Sequence, residues 1–360
     1  MKFIFASILA IHGLIHFMGF AKAYQFAELK QLVLPISKPV GMLWMLAALL
    51  FLAAVILYLL NSECWWMPAL PGIFISQAVI IISWQDARFG TIANVIIVAV
   101  ALIFISVLHF ENTFRRDISD NRLTNNSLST DILTAADIRE LPGPVKRYLQ
   151  HTGAVNKPKV KNMQVVFDVQ MRGKGKEFAT YTSEQFNFFD DPARLFFMKG
   201  KMFGLPVSGY HRFVKGTATM DIRLLGGIKV VNLSGEVLNK TETVTLFNDM
   251  CLMAPATLID KRIKWEEIDS NSARAVFTNH GVSVAATLFF NNKGQLVDFE
   301  SNDRTEVTEM KQYKFTTPVS GYRELNGTNI WTNGEAVWEY PDGKFTYGKF
   351  TLKEIRYNCN

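Results

Sequence analysis

Four apolar runs open the chain, about Phe3 to Phe20, Val40 to Leu60, Trp65 to Trp84 and Thr91 to Phe110, and none carries Lys, Arg, Asp or Glu within it. Each approaches the roughly 20 residues that a helix needs to cross a bilayer. In lipid the backbone has to satisfy its own hydrogen bonds, which makes helices the expected form. Trp44, Tyr58, Trp65, Trp66 and Trp84 stand near run ends, as interfacial anchors do. The pattern therefore predicts a four-transmembrane-helix domain over residues 1–110. A signal peptide ending at Ala21-Lys22-Ala23 is the rival reading of the start. His12, Gly13 and His16 interrupt its apolar stretch and three further runs follow, which favours an uncleaved helix.

Polar residues dominate 111–135, with Asn, Ser, Thr, Asp and Arg among scattered aliphatics, the composition of an exposed tether. Thr134 to Glu140 reads as a short helix, and Leu141 to Leu149 as a turn followed by a second helix with Pro144 in its first turn. From Lys159 the apolar period becomes two: Met163, Val165, Phe167, Val169 and Met171 alternate with polar residues. Similar runs cover 177–188, 194–202, 208–223, 228–233, 262–268, 273–278, 282–290, 295–301, 312–323 and 345–357. The connections are too short for crossover helices, so the sheet is expected to be antiparallel. One helix interrupts it, from about Lys240 to Met253, with Asn239 as its cap, Glu242 at the third position, and Val244, Phe247, Met250 and Cys251 on one face. The fold class is a membrane four-helix bundle followed by an α+β domain over 136–360, a mainly antiparallel β half-barrel wrapped around a helix.

Leu141-Pro-x-Pro-Val-x-Arg-Tyr-Leu149, the segment Glu242 to Ile259, Trp265-x-x-Ile268 and Phe345-x-Tyr347 resemble an uncharacterised family of bacterial proteins, a domain of unknown function that often follows four spans. The segment from Ser83 to Asn94 is also similar, so the resemblance covers nearly the whole chain. By architecture it implies a relation to the lipoprotein-carrier half-barrels, LolA and LolB, which hold acyl chains. It implies no activity and no catalytic residues.

Charge changes the picture little. Of 38 Lys and Arg, five precede residue 111 and 33 follow, against three and 29 acidic residues. A net +4 over the second part is thin for a nucleic-acid binder and suits weak attraction to anionic headgroups. Lys22, Lys30, Lys38 and Arg88 fall on one side of the predicted spans, and Lys2, Arg115 and Arg116 on the other. That bias makes the first side cytoplasmic and the second domain extracytoplasmic. Asp86 and Arg88 are expected to pair at the interface.

Within the spans, His12, His16, Gln77 and Asn94 form a polar cluster, with His16 level with Asn94 and His12 level with Gln77. One reading makes the histidines haem or metal ligands or a proton path, and the other makes them hydrogen-bonding glue between helices. Glue is preferred, because no paired histidine stands at matching depth elsewhere. Cys64, Cys251 and Cys359 lack metal or dithiol spacing, so no metal and no cofactor is expected. Cys251 and Cys359 are read as free thiols, with pairing as the alternative. His151, His211 and His280 are scattered, Asp190-Asp191 and Glu266-Glu267 read as turn or solvent-face charges, and the glycine pairs read as hairpin turns rather than phosphate loops. No catalytic residue is proposed. An apolar cavity lined by Phe167, Val169, Phe197, Phe203, Phe247, Met250, Met253, Leu288 and Phe290 is the feature promoted. The leading expectation is a bacterial inner-membrane protein with membrane lipids as partners, binding lipid or another apolar ligand without catalysis. A membrane redox or proton-handling protein using His12 and His16, and an envelope scaffold, are the alternatives. Ligand identity and oligomeric state stay open.

Overall fold

The computed structural model describes residues 2–124 and 131–359, and the chain divides into two compact units, 1–108 and 109–360. The first holds α1 (Lys2–Ala23), α2 (Lys38–Leu59), α3 (Trp66–Ile82), the single turn α4 (Trp84–Ala87) and the beginning of α5 (Gly90–Thr124). Among the described residues three helices, α1, α2 and α5, are long and apolar enough to cross a membrane. The expected count of four is corrected to three. α3 has 17 residues, about 26 Å at the helical rise, against a hydrocarbon core of about 30 Å. It stops where Ser83 leaves helical geometry (φ −107°, ψ 38°).

This unit is packed with polar groups inside and apolar groups outside. His12, His16, Ser76 and Asn94 are buried, while Phe3, Ile11, Phe74, Ile81 and Leu102 are exposed. Lipid as surroundings accounts for that inversion, because an outward leucine or phenylalanine costs nothing there. Small residues let α1 and α2 approach: a Cβ on Gly19 would overlap the Trp44 indole, one on Gly41 would overlap the Ala23 methyl, and one on Gly13 would lie 3.0 Å from the Phe51 Cβ. The expected Asp86–Arg88 pair is replaced by two separate contacts. Asp86 accepts the Leu34 amide proton at 2.8 Å, and Arg88 lies 5.1 Å from the Phe89 ring centre.

The predicted tether at 111–135 is largely not one. α5 continues to Thr124 because Phe110, Phe114 and Ile118, spaced at i, i+4 and i+8, bury one stripe against Phe186, Phe188, Leu195, Phe197 and Tyr210. Residues 125–130 of the expected tether lie outside the described residues. Ile132 already bridges Pro158 in the sheet domain. Thr134 to Glu140 forms turns rather than a helix, with Asp137 accepting both the amide and the hydroxyl of Thr134 at 2.7 Å. α6 (Gly143–His151) carries Pro144 in its first turn as expected.

A meander follows: β1 (Asn162–Met171), β2 (Ala179–Phe188), β3 (Ala193–Met202), β4 (Leu205–Val214), β5 (Thr217–Leu224) and β6 (Ile228–Ser234). Residues 208–223, anticipated as one run, are two strands joined at Lys215 and Gly216, both with positive φ. Next comes α7 (Glu236–Met253), a 3-10 turn at Pro255–Ile259, and a second meander of β7 (Ile263–Asp269), β8 (Ser272–Asn279), β9 (Val282–Phe290) and β10 (Leu296–Ser301). The short pieces β11 (Thr305–Glu306), β12 (Lys311–Gln312), β13 (Lys314–Thr316), β14 (Val319–Ser320), β15 (Arg323–Leu325) and β16 (Thr328–Ile330) precede two long strands, β17 (Asn333–Tyr340) and β18 (Gly343–Tyr357).

The main sheet runs β6-β5-β4-β3-β2-β1-β18-β17-β13-β10-β9-β8-β7 with β6 and β7 at its open edges. Its pairings are antiparallel, with β18 joining the two meanders through β1 and β17. α7 connects β6 to β7, so it has to pass from one edge to the other, across the concave face. This is a half-barrel wrapped around a helix. α7 is accordingly buried on nearly all sides, polar residues Thr241, Glu242, Thr243, Asn248 and Asp249 included, rather than on the single apolar face the sequence predicted. Asn239 lies inside this helix and does not cap it. Its side-chain oxygen accepts the Ala218 amide proton at 2.7 Å, which ties α7 to β5.

Candidate ligand cavity and polar clusters

Between α7 and the concave face of the half-barrel lies a cavity of about 500 Å³, within the size range of small-molecule sites. Phe167, Met198, Met220, Leu252, Met253 and Trp331 contribute to its apolar wall. Strand pairing explains which side chains reach it. Directly paired residues share a face, so Asn187 opposite Arg194 and Gln185 opposite Phe196 point inward, while Phe186, Phe188, Leu195 and Phe197 point outward to the α5 stripe.

Two of the nine residues expected to line a cavity do so, Phe167 and Met253. Val169, Phe247, Met250, Leu288 and Phe290 are packed in the main core of the unit, where Phe247 stacks on Phe277 at 5.2 Å. Phe197 is on the opposite face for the parity reason just given, and Phe196 and Met198 take its place. Phe203 is 96% exposed with φ 52°, because it forms the tight β3–β4 turn and contributes nothing to the interior.

The cavity floor is charged, which the sequence did not disclose. Arg194 Nε donates to Asp249 Oδ2 at 2.7 Å and its Nη1 to Glu242 Oε2 at 3.2 Å. Gln185 and Asn187 donate to the same Asp249 oxygen at 2.7 and 3.0 Å. His211 Nδ1 lies 3.6 Å from Glu242 Oε1. All three charges are buried. Burial alone would raise the Glu242 pKa, yet His211, Arg194 and Arg304 together outweigh it and hold the carboxyl at about 2. For Asp249 burial prevails, and its pKa stays above the ordinary value despite Arg194. Arg194 is raised, since its two carboxylates outweigh desolvation. An Arg shared by two acids in this way orients the floor of a cavity. A signal for it existed in the buried-face parity of Arg194 and Gln185, but α7 supplies the acids from some 50 residues away in the chain, with no spacing rule to link them.

In the first unit the four expected polar residues meet, together with Ser76, which sequence reading did not single out. The pairing by level is corrected: His12, not His16, contacts Asn94 (Nε2 to Oδ1, 2.9 Å). His16 Nδ1 donates to the His12 carbonyl at 2.7 Å, so in the neutral ring its Nε2 accepts from Ser76 Oγ at 2.9 Å. Asn94 donates to Gln77 Oε1 at 3.0 Å, and Gln77 to Thr91 Oγ1 at 3.2 Å. His12 Nε2 and both ring nitrogens of His16 have partners, and the cluster joins α1, α3 and α5. Among the described residues no group of three or more His, Cys, Asp or Glu is placed to hold a metal ion. Cys64, Cys251 and Cys359 are free, and burial pushes the Cys251 thiol well up from its ordinary pKa.

Apolar helices followed by an antiparallel half-barrel, with a cavity beside its internal helix, define the class of architecture. Within it, the model of a family of unknown function, DUF6544, matches residues 131–350. The chain belongs to that family. Among solved structures a LolA superfamily protein from Nitrosomonas europaea is similar, at 9% identity and a TM-score of 0.32 over 59% of this chain and 93% of that one. No match is found among curated proteins.

Proposed function

We propose that the protein is a non-catalytic, membrane-anchored binding module whose half-barrel holds the apolar part of a lipid or similar ligand outside the cytoplasm, in a bacterial inner membrane. The cavity carries this reading: about 500 Å³ of space beside α7 with methionine, phenylalanine and tryptophan in its wall. Methionine side chains adapt to irregular, flexible ligands, and each apolar area covered contributes about 25 cal/mol per Å². The helices of the first unit supply anchoring. The histidine cluster is read as interhelical glue, since its hydrogen bonds close on one another.

A cavity-filling substitution tests the reading. Full-length protein in a neutral detergent should take up a fluorescent fatty acid, and Met220→Trp should weaken that uptake at least tenfold while the thermal midpoint moves by a few degrees at most. Undiminished uptake by a folded Met220→Trp protein would contradict the assignment to this cavity.

A further inference from the structure

We infer that the ligand is an anionic amphiphile whose carboxylate or phosphate group is seated by Arg304 and Arg172 while its apolar chain occupies the cavity; this rests on the binding reading above. Each negative charge in the cavity wall can be matched to its partner. Glu242 and Asp249 are taken by Arg194. Glu309 faces Lys174 at 3.5 Å and accepts from the Tyr313 hydroxyl at 2.6 Å. Glu306 accepts the amide protons of Thr308 and Glu309 at 3.1 and 2.7 Å, and Glu335 accepts from Thr346 Oγ1 at 3.0 Å. Every wall carboxylate is therefore engaged, and two wall cations remain without a direct carboxylate contact, although Arg304 is near enough to Glu242 to help lower its pKa. Among the described residues neither Arg304 nor Arg172 makes an ion pair.

Both guanidinium groups are held in place by aromatic rings instead. Arg304 lies 4.0 Å from the Phe315 ring centre and 5.3 Å from that of Trp338. Its Nη1 donates to Tyr347 Oη at 2.9 Å, and its Nε is buried with no partner. Arg172 lies 4.4 Å from the Phe178 ring and 5.2 Å from the Phe345 ring, and its Nε donates to the Thr346 carbonyl at 2.9 Å. The two arginines thus attach to one short stretch of β18, Phe345 to Tyr347. Ring stacking fixes the plane of a guanidinium and leaves its edge N–H groups available. An unsatisfied buried N–H is costly, and a carboxylate or phosphate matches the fork of donors better than any neutral group. Both arginines are partly buried, so such a charge-assisted contact is screened less than one at an open surface.

The experiment compares palmitic acid, methyl palmitate and inorganic phosphate as probes of the full-length protein in a neutral detergent, with bound species counted by native mass spectrometry. The inference expects the acid to bind at least tenfold more tightly than the ester. Arg304→Gln should remove that preference, and Arg304→Lys should restore part of it. Equal binding of acid and ester by the unaltered protein overturns the inference and leaves the binding reading standing. Phosphate held as tightly as the acid overturns it in favour of a free anion. Uptake of neither palmitate form overturns both. The acid-to-ester comparison needs no substitution, and Arg172→Gln serves as the second variant should Arg304→Gln fail to fold.

Discussion

Arg194, Glu242 and Asp249 are three buried charges on one site, and their balance sets how the second unit responds to substitution and pH. Removing one member leaves an uncompensated charge, so Glu242→Gln should cost about 3–5 kcal/mol, read as a lower denaturant midpoint. Glu242 is held at about 2 against an ordinary 4.5, so it contributes stability that is present above about pH 4.5 and lost as pH falls toward 2. Asp298 works in the opposite direction. Burial raises its pKa to about 6, so the folded chain binds more protons than the unfolded one between about pH 4 and 6, and stability falls as pH rises through that window. Asp298→Asn should flatten this part of the pH profile of the thermal midpoint, and an unchanged slope would contradict the assignment. None of this was readable in the sequence. Arg194 alternates correctly for an inward position, but its partners lie on a helix that only the tertiary fold brings across it.

At the scale of elements, the alternation of apolar and polar residues placed most strands of the two meanders within a few positions, because a half-buried strand writes its period into the chain. β17 escaped that reading. It begins with Asn333-Gly334, a turn signal, yet Gly334 is there for close packing, since a Cβ would stand 3.0 Å from the Trp331 ring. α7 was found with a single apolar face, whereas its passage between the two sheet edges buries it on nearly all sides. The consequence is measurable. Phe247 is fully buried, and Phe247→Ala should cost about 3–5 kcal/mol. Phe203→Ser, at an exposed turn, should change stability by no more than about 0.5 kcal/mol. Among the membrane helices, Gly19→Leu drives a side chain into Trp44 and should separate α1 from α2. Reduced thermal stability of the detergent-solubilised protein would register it, while Leu14→Ile, at an exposed position, should have little effect.

The whole molecule joins an inside-out apolar unit to a half-barrel with a hollow beside its helix. Apolar helices followed by a sheet domain were legible from hydropathy, and the antiparallel sheet from its period of two and its short connections. The length of α3 and the continuation of α5 were not, because a proline-bearing apolar run and a polar stretch carrying Phe110, Phe114 and Ile118 at every fourth position both need their packing partners before they can be read. A C-terminal alkaline phosphatase fusion should be active if the half-barrel lies outside the cytoplasm, and an inactive, fully expressed fusion would reverse the orientation. Native mass spectrometry with lipid extraction, on the full-length protein purified from its membrane, reads out whether the cavity holds an apolar chain. The account predicts a reproducible bound lipid that Met220→Trp displaces without unfolding. A protein that is free of bound lipid, stably folded and unable to take up any lipid offered would contradict it.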